Sequence, residues 1–219
     1  MMQRLVVFDV DGTLVDSQRL ILAAMDRAFG LIGAEPPTHP ETLSIVGLSL
    51  PEAIRALRPG LDAATVDALV AGYKSSYNPL RSGDEGAAPL YPGAMAALQA
   101  LAGMPGLLLG VATGKSRRGL NGLLQAHGLA GYFATTQVSD DHPSKPHPSM
   151  LQRCLADTGA KGGVMIGDTA FDMEMGRAAG FATIGVSWGY HGRERLQQAD
   201  RVIDSFDQLP AALQAVWER

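Results

Sequence analysis

Short, unbroken apolar runs, each stopped by charged or turn-forming residues, recur along this chain. The first is Leu5-Val6-Val7-Phe8, which stops at Asp9. An apolar run without polar alternation is the pattern of a strand covered on both faces, as in parallel sheets. It returns at Leu107 to Ala112, ending in Thr113-Gly114, and at Val164-Met165-Ile166, ending in Gly167-Asp168. It returns again at Ala182 to Val186, before Ser187, and more briefly at Arg201-Val202-Ile203-Asp204, which reads as an edge strand. Helical stretches lie between these runs: Arg117 to His127, Ser149 to Asp157, Phe171 to Ala179 and Gln208 to Trp217. Strands alternating with helices predict a doubly wound α/β core with a parallel sheet.

The interval from Ser17 to about Ala88 differs. It carries helical patterns at Leu20 to Leu31, Leu50 to Leu57 and Ala63 to Tyr77, but no convincing buried strand. Turn formers follow, from Arg81 to Pro89, and the core pattern resumes near Leu90-Tyr91-Pro92-Gly93. The expected division is a core of residues 1–16 and 89–219 with an all-helical cap, residues 17–88, inserted after the first strand.

Composition narrows the function classes. At 219 residues, 46% of them hydrophobic, the chain has enough apolar material for a rigid core and a substantial insertion. Its formal net charge of −4 argues against a nucleic-acid partner, which calls for a basic face. No run of about 18 apolar residues is available to span a bilayer, so no membrane partner is expected. The apolar start is too short for a signal segment and is broken by Asp9 and Asp11. Cys154 is the single cysteine, which excludes an intramolecular disulfide and reads as a small buried thiol in a helix. A reducing, cytoplasmic location is the expectation.

The polar residues of interest sit just past the strand ends, where loops of an open parallel sheet converge on one crevice. Asp9-Val10-Asp11-Gly12-Thr13 places two carboxylates at the end of the first strand. Crowded carboxylates are costly unless a cation compensates them. One can attack phosphorus to give an acyl-phosphate, and the other can pass the proton to the leaving alcohol and take one from water. The residues alone do not decide which does which. Gly12 permits a turn that brings amide groups toward phosphate oxygens. Thr113 and Gly114 offer a hydroxyl and an amide at the end of another strand. Lys145, among prolines at 143, 146 and 148, is a cation on a stiffened segment. Asp168 and Asp172 add two more carboxylates at a strand-to-helix turn, where Asp172 also suits a helix N-terminus. Asp168 beside Asp9 makes a hard oxygen site of the kind that takes Mg²⁺.

Together, Asp9-Val10-Asp11-Gly12-Thr13-Leu14-Val15-Asp16-Ser17, Thr113, Lys145-Pro146 and Gly167-Asp168 with Asp172 resemble, in order and spacing, the four motifs of the haloacid dehalogenase superfamily. The match looks closest to its phosphoglycolate phosphatase and β-phosphoglucomutase-like group. The resemblance covers essentially the whole chain and implies a Rossmann-like core with a helical cap between the first two motifs. It further implies Asp9 as nucleophile and Asp11 as general acid/base. Asp9, Asp11 (through its backbone carbonyl) and Asp168 would be Mg²⁺ ligands, with Asp172 behind them or reaching the metal through water. Gly12, Thr113, Gly114 and Lys145 would bind the phosphoryl group, Lys145 also steadying Asp9. Dehalogenases similar to this family need no acid for a halide and typically lack a carboxylate at the position of Asp11, so its presence favours phosphoryl transfer involving an alcohol.

The expected activity is therefore a Mg²⁺-dependent phosphatase acting on a small-molecule phosphate ester such as phosphoglycolate, as a monomer or homodimer. A phosphomutase and a non-catalytic phosphate-binding protein are the alternatives. Substrate choice is expected in the cap, where Val46 to Glu52 resembles a segment facing the site in related enzymes. Arg55, Arg58, Lys74 and Arg81 are candidates for a second anionic group. His142, His147 and His191 do not support a transition-metal site, and Trp188 to Gly192 is a candidate rim.

Overall fold

The computed structural model describes residues 3–82 and 88–218, with backbone only at positions 78, 81 and 82. Its sheet contains β1 (Arg4–Phe8), β2 (Leu107–Thr113), β3 (Thr135–Val138), β4 (Gly163–Gly167), β5 (Ala182–Val186) and β6 (Arg201–Ile203). The strands are parallel and lie in the order β3-β2-β1-β4-β5-β6. This is the doubly wound α/β arrangement expected, with the order reversing between β1 and β4. β6 is an edge strand, as expected. The other edge, β3, is not marked by an apolar run, because Thr135 and Gln137 are buried through hydrogen bonds to the Asp157 carboxylate instead.

The period-two geometry of β1 explains why its run is apolar throughout. Val6 and Phe8 face one core, with Leu98 of α5 (Ala94–Ala102), Leu120 of α6 (Arg117–Ala126) and Leu213 of α9 (Leu209–Trp217). Leu5 and Val7 face the other, with Met150, Leu151 and Cys154 of α7 (Ser149–Thr158) and Met175 of α8 (Ala170–Ala178). Cys154 is fully buried, and burial pushes its thiol up to about 12. A thiol reagent at pH 8 should leave the folded protein unlabelled and modify one group per chain after denaturation; rapid labelling of the native protein would contradict this.

Between β1 and α5 the elements of the described residues are helices only: α1 (Gln18–Leu31), α2 (His39–Ser44), α3 (Leu50–Leu57) and α4 (Ala63–Ser82). They enclose a cluster of their own, with Met25, Ala28 and Phe29 packed against Ile54, Val66 and Leu69. α2 escapes the sequence pattern because it is short and polar, and is set by a Thr38–Glu41 capping box. α4 runs past Pro79, where burial of Tyr77 and Leu80 in the main core continues the helix. Gly83 to Ala87, in the expected return loop, lie outside the described residues.

The chain enters and leaves this helical body side by side. Asp16 N–H donates to Pro89 O at 2.9 Å, and Tyr91 N–H donates to Leu14 O at 3.0 Å. Leu20, Ile21, Val46 and Tyr77 of the helical body join the main core cluster, so its lower side is packed onto the sheet domain. Among the described residues no helix is long and apolar enough to cross a membrane.

Candidate active site

Because β1 lies between β2 and β4, the loops after these three strands meet at their carboxyl ends. Asp9 follows β1, Thr113 ends β2 and Asp168 follows β4; all three are buried. Between Val10 and Val15 the chain makes a tight turn in which Leu14 and Val15 N–H both donate to Val10 O. Gly12 sits in this turn at φ 83°, a conformation that favours glycine, and a Cβ there would collide with the Asp168 carboxylate. The Gly12 N–H itself donates to Val15 O at 2.9 Å. The contribution of Gly12 is thus the shape of the turn, while its amide is committed within it.

Asp9, Asp168 and Asp172 each bring a carboxylate oxygen to within 4.8 Å of the others, all buried. Lys145 reaches into this group from the loop before α7, with its Nζ 2.8 Å from Asp9 Oδ1 and 2.7 Å from Asp172 Oδ1. The other oxygen of Asp172 accepts from the backbone and hydroxyl of Thr169, closing a capping box on α8. Asp172 therefore does cap the helix, while also anchoring Lys145. Asp168 accepts from Thr13 Oγ1 at 2.9 Å and from Tyr190 N–H at 2.8 Å. Both carboxylate oxygens of Asp9 are buried with no hydrogen-bond partner, Oδ1 being held by Lys145 as an ion pair.

Three carboxylates around one ammonium leave a local excess of two negative charges. Burial, opposed by Lys145 and reinforced by Asp172 and Asp11, raises the Asp9 carboxyl to about 7. Burial, then the charges of Asp9 and Asp172, hold Asp168 well above the usual carboxylate range. Burial alone would depress Lys145, but Asp172 and Asp9 outweigh it and hold the ammonium above its ordinary value. A hard divalent cation suits this donor set: oxygen ligands, an unpartnered buried oxygen and an excess of two charges.

Asp11 lies apart from that cluster. Lys115 Nζ donates to both of its oxygens, at 2.7 and 2.9 Å, and the Ser17 hydroxyl donates to Oδ1. Lys115 also donates to Tyr77 Oη of α4 at 3.1 Å, so the ammonium links the sheet domain to the helical body. Thr113 Oγ1 accepts from Lys115 N–H at 3.2 Å. At Gly114 a side chain is excluded, since a Cβ would lie 2.6 Å from Leu48 O and 2.7 Å from Gly47 O. The backbone of the helical body is thus laid directly on the β2 loop.

Lys115, Ser17 and Tyr77 carry no assigned role in the sequence pattern, whereas Tyr190 falls in the candidate rim Trp188 to Gly192. Lys115 was legible as a cation directly after Thr113-Gly114, whereas Tyr77 carries no local signal. Of the segment Val46 to Glu52, residues Val46 to Pro51 line the cavity between the two bodies, and Lys74 lines it too. Arg55 pairs with Glu52 at 2.7 Å, and Arg58 approaches Glu41 and the ring of Phe29, so both serve the outer helical surface. The Arg81 side chain lies outside the described residues. His142 bonds Gln137 of β3 and Ser149 at the start of α7, and His147 accepts from Ser149 N–H. The segment after β5 supports the site: Trp188 donates to Thr13 O, Tyr190 holds Asp168 and accepts from Ser17 N–H, and His191 joins Ala170 N–H to Ser44 O.

A sequence profile described as haloacid dehalogenase-like hydrolase matches residues 6–186. The chain is 34% identical over 224 residues to a probable phosphatase, IndB, of Dickeya dadantii, covering 98% of this chain and 95% of that protein. It is 32% identical over 219 residues to a phosphoglycolate phosphatase of Cupriavidus necator, covering 95% and 92%. Among solved structures, a predicted phosphatase from Clostridium acetobutylicum shares the fold with a TM-score of 0.86 at 23% identity, covering 98% of this chain and 100% of that one.

Proposed function

The chain belongs to the haloacid dehalogenase-like hydrolase family and is a phosphate-ester hydrolase, and we propose that it is a Mg²⁺-dependent phosphatase of a small phosphoglycolate-like metabolite. Asp9 Oδ2 carries the reading: a buried carboxylate oxygen without a hydrogen-bond partner is a nucleophile with no competing bond to break. In this reading Asp9 attacks phosphorus and the bond to the alcohol oxygen breaks. Asp11 gives that oxygen its proton, then takes one from the water that hydrolyses the aspartyl-phosphate.

The hydroxyl of Thr113 and the Gly114 amide are the candidate donors to phosphoryl oxygens. Lys145 holds Asp9 in line and offsets charge, and Asp172 holds Lys145. Asp9, Asp168 and the Asp11 carbonyl would hold Mg²⁺, which when bound would neutralise the carboxylates and the phosphoryl oxygens together. The helical body, as a cap, would exclude water from the site.

EDTA should abolish hydrolysis of a broad panel of phosphate esters, and Mg²⁺ should restore it. Because the cation binds only the folded site, millimolar Mg²⁺ should also raise Tm, by about 2.7 kcal/mol of stability at a hundredfold excess over Kd. Asp168→Asn should lose most of that rise. A Tm indifferent to Mg²⁺, with activity that survives EDTA, would overturn the metal assignment.

A further inference from the structure

The cavity between the helical body and the sheet domain has a volume of about 490 Å³, within the range of roughly 300–1,000 Å³ that encloses whole ligands. Ile21, Met25, Ile45, Leu48 and Tyr73 make one side of it apolar. Its opposite side carries Asp9 and Asp11 together with Lys115. Lys115 holds both oxygens of Asp11, and each side chain is nearly buried, 8% and 12% exposed. With the ammonium on both oxygens and the Ser17 hydroxyl on Oδ1, Lys115 competes with the oxygen of a departing alcohol for Asp11. An ammonium withdrawn from its carboxylate toward the apolar side of this cavity, which Lys74 and Arg118 also line, needs another anion, because an unpaired buried charge is costly.

We propose that Lys115 selects esters whose alcohol half carries its own anionic group, a carboxylate or a second phosphate, and that by accepting this group it releases Asp11 to the leaving oxygen. Esters of neutral alcohols leave Lys115 on Asp11 and are turned over slowly. The Tyr77 hydroxyl, 3.1 Å from Nζ and borne on α4, gives the ammonium a fixed pivot as it exchanges one carboxylate for the other. Lys115 therefore carries both substrate selection and the positioning of the acid. This inference rests on the roles of Asp9 and Asp11 proposed above.

Its test compares 2-phosphoglycolate with the neutral amide of the same ester, with Mg²⁺, in wild type, Lys115→Met and Lys115→Arg. Wild type should prefer the carboxylate in kcat/KM by about 10- to 100-fold, the scale of one charge-assisted hydrogen bond. Lys115→Met should bring the ratio close to one, and Lys115→Arg should keep most of it. Calorimetric titration of both esters into Asp9→Asn protein repeats the comparison without turnover. A wild-type ratio near one, or a ratio unchanged in Lys115→Met while both esters slow equally, overturns the proposal. Full turnover by Asp9→Asn would instead remove the nucleophile assignment and leave the Lys115 comparison to be read on the same two esters.

Discussion

Asp9→Asn should cost turnover of every phosphate ester by about 10⁴-fold or more, the scale on which loss of a covalent nucleophile acts. The substitution keeps the shape of the side chain and removes a carboxylate that burial and its neighbours already hold at about 7. Folding should therefore survive it. Lys145 keeps its partner Asp172 at 2.7 Å, so no buried ammonium is orphaned. Steady-state rates with saturating Mg²⁺, set beside Tm for both proteins, separate the effects. Activity within tenfold of wild type would remove Asp9 from the role of nucleophile. A fall in Tm as large as that of a broken core would show that the loss was structural.

Lys145→Met should be the most destabilising of the site substitutions. Lys145 is completely enclosed, and it is the ammonium that faces Asp9 and Asp172 directly. Methionine fills much of the volume but leaves three buried carboxylates facing one another, and breaking such a pair costs about 3–5 kcal/mol. For a chain of this size that corresponds to a Tm lower by about 6–20 °C. The deficit should be largest in EDTA and smaller with Mg²⁺, whose charge replaces part of what the ammonium supplied. Adding Asp172→Asn should recover part of it, because the second partner is then neutral. Turnover should fall in both proteins, since Asp9 loses the group that orients it. Calorimetric scans of the single and double variants with and without Mg²⁺ check this; an unchanged Tm for Lys145→Met would refute it.

The sequence disclosed the strands whose side chains are buried on both faces, and the polar residues that stop them. Leu5 to Phe8, Leu107 to Ala112 and Val164 to Ile166 were legible because a strand covered on both sides has no place for a polar residue. β3 was not, because the polar side chains of Thr135 and Gln137 are satisfied by Asp157, a residue of another element. α2 was hidden for a similar reason: its cap, and not its periodicity, defines it.

The same division runs through the site. That Asp9, Thr113 and Asp168 stand at strand ends follows from local pattern alone, since covalent continuity ties each to its own strand. Their convergence depends on strand order, with β1 held between β2 and β4, and on the helices that bury both faces of the sheet. Only the tertiary structure joined Lys115 to Asp11, 104 positions away, and brought Tyr77 of the helical body to Lys115. Only it showed that Asp172 holds Lys145 as well as the start of α8, and that Arg55 and Arg58 face elsewhere. The physical reason is that residue type decides what a side chain can bond, whereas burial and long-range packing decide which partner it meets and how strongly its charge is felt.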